Sequence, residues 1–333
     1  MVDRSVTMIA PATYYLLKNP DNKPPVRWTL GDFQSSKDSA SNYQRVSIMD
    51  HQQFVRANTR TDCKVTSPGA STRTCTQAEE YQNFANWFQY HRTRMHVAIA
   101  AVGNAFATAL GKDIRVGYGR INKSAKSAVD GAPTSIVERG VRRFEGEDRS
   151  AFFTWLSQRT AKGGTPLMHS LETVNKYFER SDYTGPWATT PGKPTGEKHL
   201  ACRRSYHILM TDGQYNDQDN TQIDRIPGMS NADNELGPVI PASGKNRAFR
   251  YDPNDPNNRL YRSATGRTLA DVAMYYWNRD LMPNLANNVP VDADNPSFWQ
   301  NVTMYTLSFG ADGKLPASTP ESQASTLQDI VSG

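Results

Sequence analysis

Cysteine is scarce, with three in 333 residues, far too few for a disulfide-built scaffold. Long apolar runs are missing as well. No stretch approaches the run of about 20 apolar residues that spans a bilayer, so no helical transmembrane segment is expected. The opening residues, MVDRSVTMIAPATYY, lack the charged start and apolar core of a signal peptide. There are no Lys/Arg blocks: 38 basic and 33 acidic residues, net charge +5, are scattered along the chain, and a nucleic-acid partner is not indicated. No internal repeat is visible. What is present is length enough for a real core, in one large α/β domain with insertions or in two domains.

Two of the cysteines bracket a polar loop, CKVTSPGASTRTC, from Cys63 to Cys75. A disulfide there would close the loop comfortably, contributing roughly 3 kcal/mol by loop entropy, and would point outside the cytosol. Unpaired bystanders are the alternative. With no His or further Cys nearby, the pair does not read as a zinc site. Cys202 is left over, as a free thiol or with its partner in sequence outside these residues.

Residues 1–75 are rich in Asn, Asp, Ser and Pro, with short apolar pieces, ATYYLL and YQRVSIM, that read as surface strands or hairpins. The pattern then changes. Thr76 to Glu79 reads as a capping box, and Phe84, Phe88, Met95, Ile99, Val102 and Phe106 follow at helical spacings as far as Gly111, predicting one long amphipathic helix. Strand patterns at Ile114–Asn122 and Val141–Phe144 precede helical spacing at Asp148–Gln158. In KGGTPLMHSLETVNKYFER, Thr165 is expected as N-cap and Pro166 at the first helical position, with Leu167, Leu171, Val174 and Phe178 on one face. In SYHILMTDG, Ile208 to Met210 suits a strand covered on both faces, stopping at Asp212-Gly213. Residues 214–267 form an Asn/Asp/Pro/Arg-rich insertion, longer than ordinary connections and so a candidate functional surface. Thr268–Leu281 is a second capped amphipathic helix, and Asn301–Gly310 a further strand. Alternating strands and helices predict a doubly wound, mostly parallel sheet flanked by helices.

In such sheets ligands bind where loops leave the carboxyl ends of strands. Asp212 occupies such a place, and the Thr165 hydroxyl stands at the mouth of a Gly-Gly loop. Both are oxygen donors of the kind Mg²⁺ or Ca²⁺ takes. Equally, Thr165 can serve only its helix, and Asp-Gly is a common turn pair.

The segments EYQNFANWFQYHRTRM, IRVGYGRIN, GGTPL, ILMTDGQYN, TLADVAMYYWNRDL and YTLSFG resemble the von Willebrand factor A-type domain of type IV pilus tip adhesin and biogenesis proteins. The resemblance covers roughly residues 76–310. It implies a Rossmann-type, von Willebrand factor A-like fold over residues 76–313, with 1–75 a loop-rich part of the same domain and 314–333 a linker toward a C-terminal β-propeller outside this chain. It also implies an extracellular, non-enzymatic role in pilus assembly, twitching motility and adhesion. Minor pilins and host or surface receptors are the implied partners. A metal-ion-dependent adhesion site of that family uses a DxSxS segment, a threonine and a later aspartate. Thr165 matches the second element and Asp212 the third. The first is missing, because no buried strand ending in DxSxS precedes residue 76, and Asp3-Arg-Ser5-Val-Thr7 has the spacing without a strand before it. The first strand is thus expected outside this chain, which reads as a fragment, and the cation site is expected only in the complete domain.

Three further patterns carry less. Asp212, Asp217, Asp219 and Asp224 lie in one short stretch without the glycine and glutamate of an EF-hand, favouring a solvated loop. Ser205, His207 and Asp212 suggest a nucleophile, base and acid, yet no elbow motif surrounds the serine, and a metal-dependent hydrolase is a minor alternative. Tyr275, Tyr276 and Trp277 cannot all face one core, so packing against the insertions is expected.

Overall fold

The computed structural model describes residues 12–17, 43–57, 62–63, 72–123, 125–193, 198–211, 231–256, 258, 262, 264, 266–292 and 295–308. The chain divides into two units, residues 1–100 and 101–333.

In the first unit, β1 (Thr13–Leu17) pairs antiparallel with β2 (Tyr43–Ser47), and β3 (Gln53–Ala57) with β4 (Thr72–Thr76). The two apolar pieces read as strands are therefore strands. Alternation sends Phe54 and its cross-strand partner Cys75 inward while Val55 faces out. Ala12, Val46, Ile48, Phe54, Cys63 and Cys75 form a small core, with Tyr14 and Phe84 packed against it.

Helix α1 (Gln77–Tyr90) starts as expected. Thr76 and Glu79 make a reciprocal capping box, with the Thr76 N–H donating to Glu79 Oε2 at 2.8 Å and the Glu79 N–H to Thr76 Oγ1 at 3.3 Å. Gln77 Nε2 donates to the carbonyls of Ile48 and His51 at 3.0 and 2.9 Å, tying the helix to the one-turn 3₁₀ segment Ile48–Asp50. The single long helix is not observed. The chain leaves helical geometry at His91 and restarts as α2 (Arg94–Ala109), where Thr93 Oγ1 accepts the His96 N–H at 3.2 Å. A hydroxyl cap at this place gives the backbone an alternative to continuing the first helix.

In the second unit, β5 (Arg115–Gly119) pairs antiparallel with β8 (Val137–Arg143), longer than the short strand expected there, and β6 (Ser127–Val129) with β7 (Ala132–Thr134). The β6–β7 turn is Asp130-Gly131, both at positive φ of 54° and 81°, the requirement of a tight two-residue hairpin. Helix α3 (Gly146–Ser157) stacks Phe152 on Phe106 at 4.8 Å and sets it edge-on to Phe144 at 5.4 Å. Helix α4 (Leu167–Phe178) buries Leu167, Leu171 and Phe178, the face its spacing predicted, but begins one residue later than expected, with Pro166 at the N-cap. Helix α5 (Leu269–Trp277) opens on a buried capping box between Thr268 and Asp271 and stops short of Leu281. Tyr275 and Tyr276 enter the main core, whereas Trp277 packs with Ile240, Phe249, Phe298 and Trp299, a separate cluster made partly by the insertion. That division resolves the crowding of three adjacent aromatics.

Strands β9 (Ser205–Thr211) and β10 (Val302–Ser308) pair in parallel, Ser205 opposite Val302 through Thr211 opposite Ser308. Leu209, Val302 and Met304 join the core with α4 and α5. The opposite face is open, with Tyr206, Ile208, Tyr305 and Leu307 each 50–55% exposed. Cover on both faces, expected for this strand, is thus found on one. Among the described residues the strands form five two-stranded pairs, one parallel and four antiparallel. No helix among the described residues is long and apolar enough to cross a membrane.

Candidate functional site

The loop before α4 is held from two sides. Gly163 sits at φ +82°, and a Cβ there would fall 2.1 Å from Asn122 Nδ2, so only glycine fits. Asn122, just past β5, donates from Nδ2 to the Gly164 carbonyl at 2.7 Å. Ser170 Oγ lies 2.9 Å from the Ile121 carbonyl and 2.6 Å from that of Pro166. The half-buried Thr165 follows, its carbonyl accepting the Leu167 N–H at 3.0 Å. The loop leaving β5 and the Gly-Gly-Thr-Pro loop are thereby fastened together around Thr165. Asp212, the other expected ligand, lies outside the described residues, as do Asp217, Asp219, Asp224 and the Asp3-Ser5-Thr7 pattern. Thr165 and Asp212 supply one neutral and one anionic oxygen, short of the six or more that Mg²⁺ or Ca²⁺ takes. This pair alone does not fit either cation.

The alternative built on Ser205 and His207 gains nothing here. Both project to the core side of β9, His207 Nδ1 is buried with no hydrogen-bond partner, and burial pushes the imidazole down to about 4. An imidazole with no acid to orient it is a poor base.

A different serine, histidine and carboxylate do meet. His169 Nε2 lies 3.4 Å from Ser135 Oγ, and His169 Nδ1 lies 3.9 Å from Glu172 Oε2. Burial would raise the Glu172 carboxyl, but the neighbouring His169 and Lys176 outweigh it and hold the group below its ordinary value. Lys176 takes the other oxygen in an i,i+4 ion pair. The two His169 contacts are long and the Lys176 pair lies along the helix, so the group fixes α4 rather than prepares a nucleophile.

The strongest polar cluster surrounds Asp130, whose side chain is 3% exposed. Its carboxylate takes both terminal nitrogens of Arg142 and, at 2.9 Å, the Tyr177 hydroxyl, which itself accepts the Val141 N–H at 3.0 Å. Arg180 donates to the Val129 and Asp130 carbonyls at 3.0 and 2.6 Å, and Thr184 Oγ1 to the latter at 2.6 Å. Burial and the neighbouring carboxylate push the Tyr177 phenol well up. Every partner is satisfied within the protein, the signature of a structural lock. Asp-Gly between two short apolar pieces could have signalled the turn, but no local pattern announces partners at 142, 177 and 184.

Cys63 and Cys75 form the expected disulfide, and Cys202 is exposed and free. Among the described residues, the group of three His, Cys, Asp or Glu close enough to share a metal ion is Cys63, Cys75 and Glu80. Sequence reading did not associate Glu80 with the cysteines.

The chain is 30% identical over 341 residues to the type IV pilus biogenesis factor PilY1 of Pseudomonas aeruginosa strain PAO1, covering 92% of this chain and 28% of that protein. The proteins of the same name from strains PAK and UCBPP-PA14 are also 30% identical, over 79% and 68% of this chain and 22% and 19% of theirs. The chain therefore spans less than a third of the length of the curated relatives it matches. No protein-family model matches the chain. No solved structure matches it either. Identity of 30% across nearly the whole chain makes the chain a member of the type IV pilus biogenesis factor family.

Proposed function

We propose that the chain is an extracellular assembly and adhesion module of the type IV pilus, displayed at the pilus tip or outer cell surface. In this reading it is not an enzyme, and it contacts minor pilins on one side and host or surface receptors on the other. The observation that carries it is the 30% identity over 92% of the chain to a protein named for type IV pilus biogenesis. The Cys63–Cys75 disulfide agrees, since such bonds persist outside the cytosol. Deleting the gene in its native host and measuring sheared surface pili and twitching tests it. Loss of both, restored by the intact gene, is the expected result; undiminished piliation and twitching would overturn it.

The proposed fold is a von Willebrand factor A-like sheet whose pieces here are the β5–β8 and β9–β10 pairs. The parallel pairing of β9 with β10 supports it, because parallel strands belong chiefly to α/β sheets of this kind. In the complete domain Thr165 and Asp212 would hold Mg²⁺ or Ca²⁺ together with further oxygen ligands, and the cation would supply a coordination position for a partner carboxylate. Raised thermal stability of the full-length protein in either cation, abolished by Asp212→Ala, is the expected outcome, because a ligand specific to the native state stabilises it. An unchanged melting temperature favours the second reading, a structural assembly domain that binds no metal. The donor shortfall at Thr165 and Asp212 supports that second reading.

A further inference from the structure

Part of the long insertion, which the pilus reading leaves without a task, is an ordered arm. Three rungs of backbone hydrogen bonds lead out along it. The Gly237 N–H donates to the Tyr251 carbonyl at 2.9 Å, Ile240 and Phe249 exchange bonds of 2.8 and 3.0 Å, and Ser243 and Asn246 exchange bonds of 3.1 and 2.9 Å. Gly244, at φ +58°, takes the first central position of the closing turn, where a two-residue hairpin calls for glycine. The base is anchored by aromatic packing. Phe249 stacks on Trp299 at 4.7 Å and meets Trp277 edge-on at 5.9 Å, with Ile240 buried in the same cluster. The buried Tyr251 donates its hydroxyl to the Asp233 carbonyl at 2.6 Å.

Beyond that base the arm buries little. Pro241, Ala242, Gly244, Lys245, Arg247 and Ala248 are all exposed, so a shorter connection from Ile240 to Phe249 would serve the core as well. An exposed segment held in one conformation has lost its freedom before any partner arrives, which lowers the entropy cost of recognition. Its chemistry is one-sided. From Leu236 to Tyr251 there is no Asp or Glu, against Lys245, Arg247 and Arg250. Arg250 Nε is taken up by the Gly237 carbonyl at 2.8 Å, whereas among the described residues no carboxylate pairs with Lys245 or Arg247. Leu236 and Val239, 53% and 61% exposed, add apolar surface to the same arm. Uncompensated cations beside exposed aliphatic side chains match a protein surface that sets carboxylates around apolar residues. An acidic polysaccharide offers the charge but nothing for Leu236 and Val239.

We propose that the hairpin from Leu236 to Tyr251 is a recognition arm, which docks its Lys245 and Arg247 tip and its Leu236 and Val239 flank on an acidic, partly apolar patch of a partner protein. The proposal goes beyond the pilus reading and does not depend on it, because the contact is a property of the arm whatever assembly the chain joins. The aromatic base holds the arm in place, and the tip supplies the complementary charge.

The test uses the purified whole chain and two short fluorescent peptides of alternating residues, one of Glu and Leu and one of Lys and Leu, with binding read by fluorescence anisotropy. The Glu-Leu peptide is expected to bind, and more weakly as salt is raised. Lys245→Glu combined with Arg247→Glu should weaken that binding by at least about tenfold and create affinity for the Lys-Leu peptide, a gain that misfolding does not produce. Lys245→Gln and Arg247→Gln, which remove charge without reversing it, should each weaken binding by about threefold. Val239→Ser should weaken it with the charges intact, whereas competition by a polyuronate should be poor. No binding of the Glu-Leu peptide, equal binding by the charge-reversed variant, or tighter binding of the polyuronate than of the peptide would overturn the proposal.

Discussion

The two units are held together by different means. The first has six residues in its described core, two of them the disulfide cysteines, whereas the largest core cluster of the second has seventeen, including Leu171 and Val272 at 0% exposure. A core of the first kind cannot rest on apolar burial alone and depends on a covalent staple and on single polar anchors. A core of the second kind can bury an ion pair and still be stable, provided every partner stays satisfied.

That contrast is broken most severely at Asp130. Asp130→Ala leaves Arg142 and Tyr177 facing each other without the carboxylate, and is expected to destabilise the second unit by about 3–5 kcal/mol, measured by urea unfolding with hydrogen exchange resolving the two units. The double variant Cys63→Ser, Cys75→Ser should cost the first unit roughly 3 kcal/mol and leave protection of α4 and α5 unchanged. Equal loss in both units would show that the staple is not local. The two capping boxes sharpen the comparison at smaller scale. Thr268, 3% exposed, should lose about 2 kcal/mol on substitution by Ala, and the exposed Thr76 about 1 kcal/mol, both read from denaturant midpoints. His207 gives the second unit a pH response of defined sign. Its folded value is depressed to about 4 from an ordinary 6.5, so its contribution is present above about pH 6.5 and is lost as pH falls toward 4. His207→Leu should flatten that part of the stability profile. Least affected should be Ile208→Ser on the open face, within about 0.5 kcal/mol.

Much of the fold was legible because it is local. Hydroxyl and acid three residues apart located the starts of α1 and α5, and apolar spacing identified the buried face of α4. The break at His91 was not, because Phe88 and Met95 keep helical spacing across it and the Thr93 cap offers only one weak local signal. The open face of β9 was misread for a related reason: a run such as Ile-Leu-Met does not say how many layers will cover it. The site was half legible. Gly-Gly before Thr165 pointed to a constrained loop, but its fastening to Asn122 is a contact 42 residues away in sequence. Glu80 escaped notice beside the cysteines because it was counted only as part of a helix.

The parallel pair carries a consequence for how the chain reaches this structure. Ser205 aligns with Val302, so almost a hundred residues must be gathered before the first rung of β9–β10 can form, and closing so long a segment is slow. The cluster of Ile240, Phe249, Phe298 and Trp299 gathers part of the intervening chain beside β10, and forming it first would shorten the distance left to close. Until that happens, Leu209, Val302 and Met304 are uncovered apolar residues on unpaired strands, and chaperone protection of the nascent chain would be needed longest there.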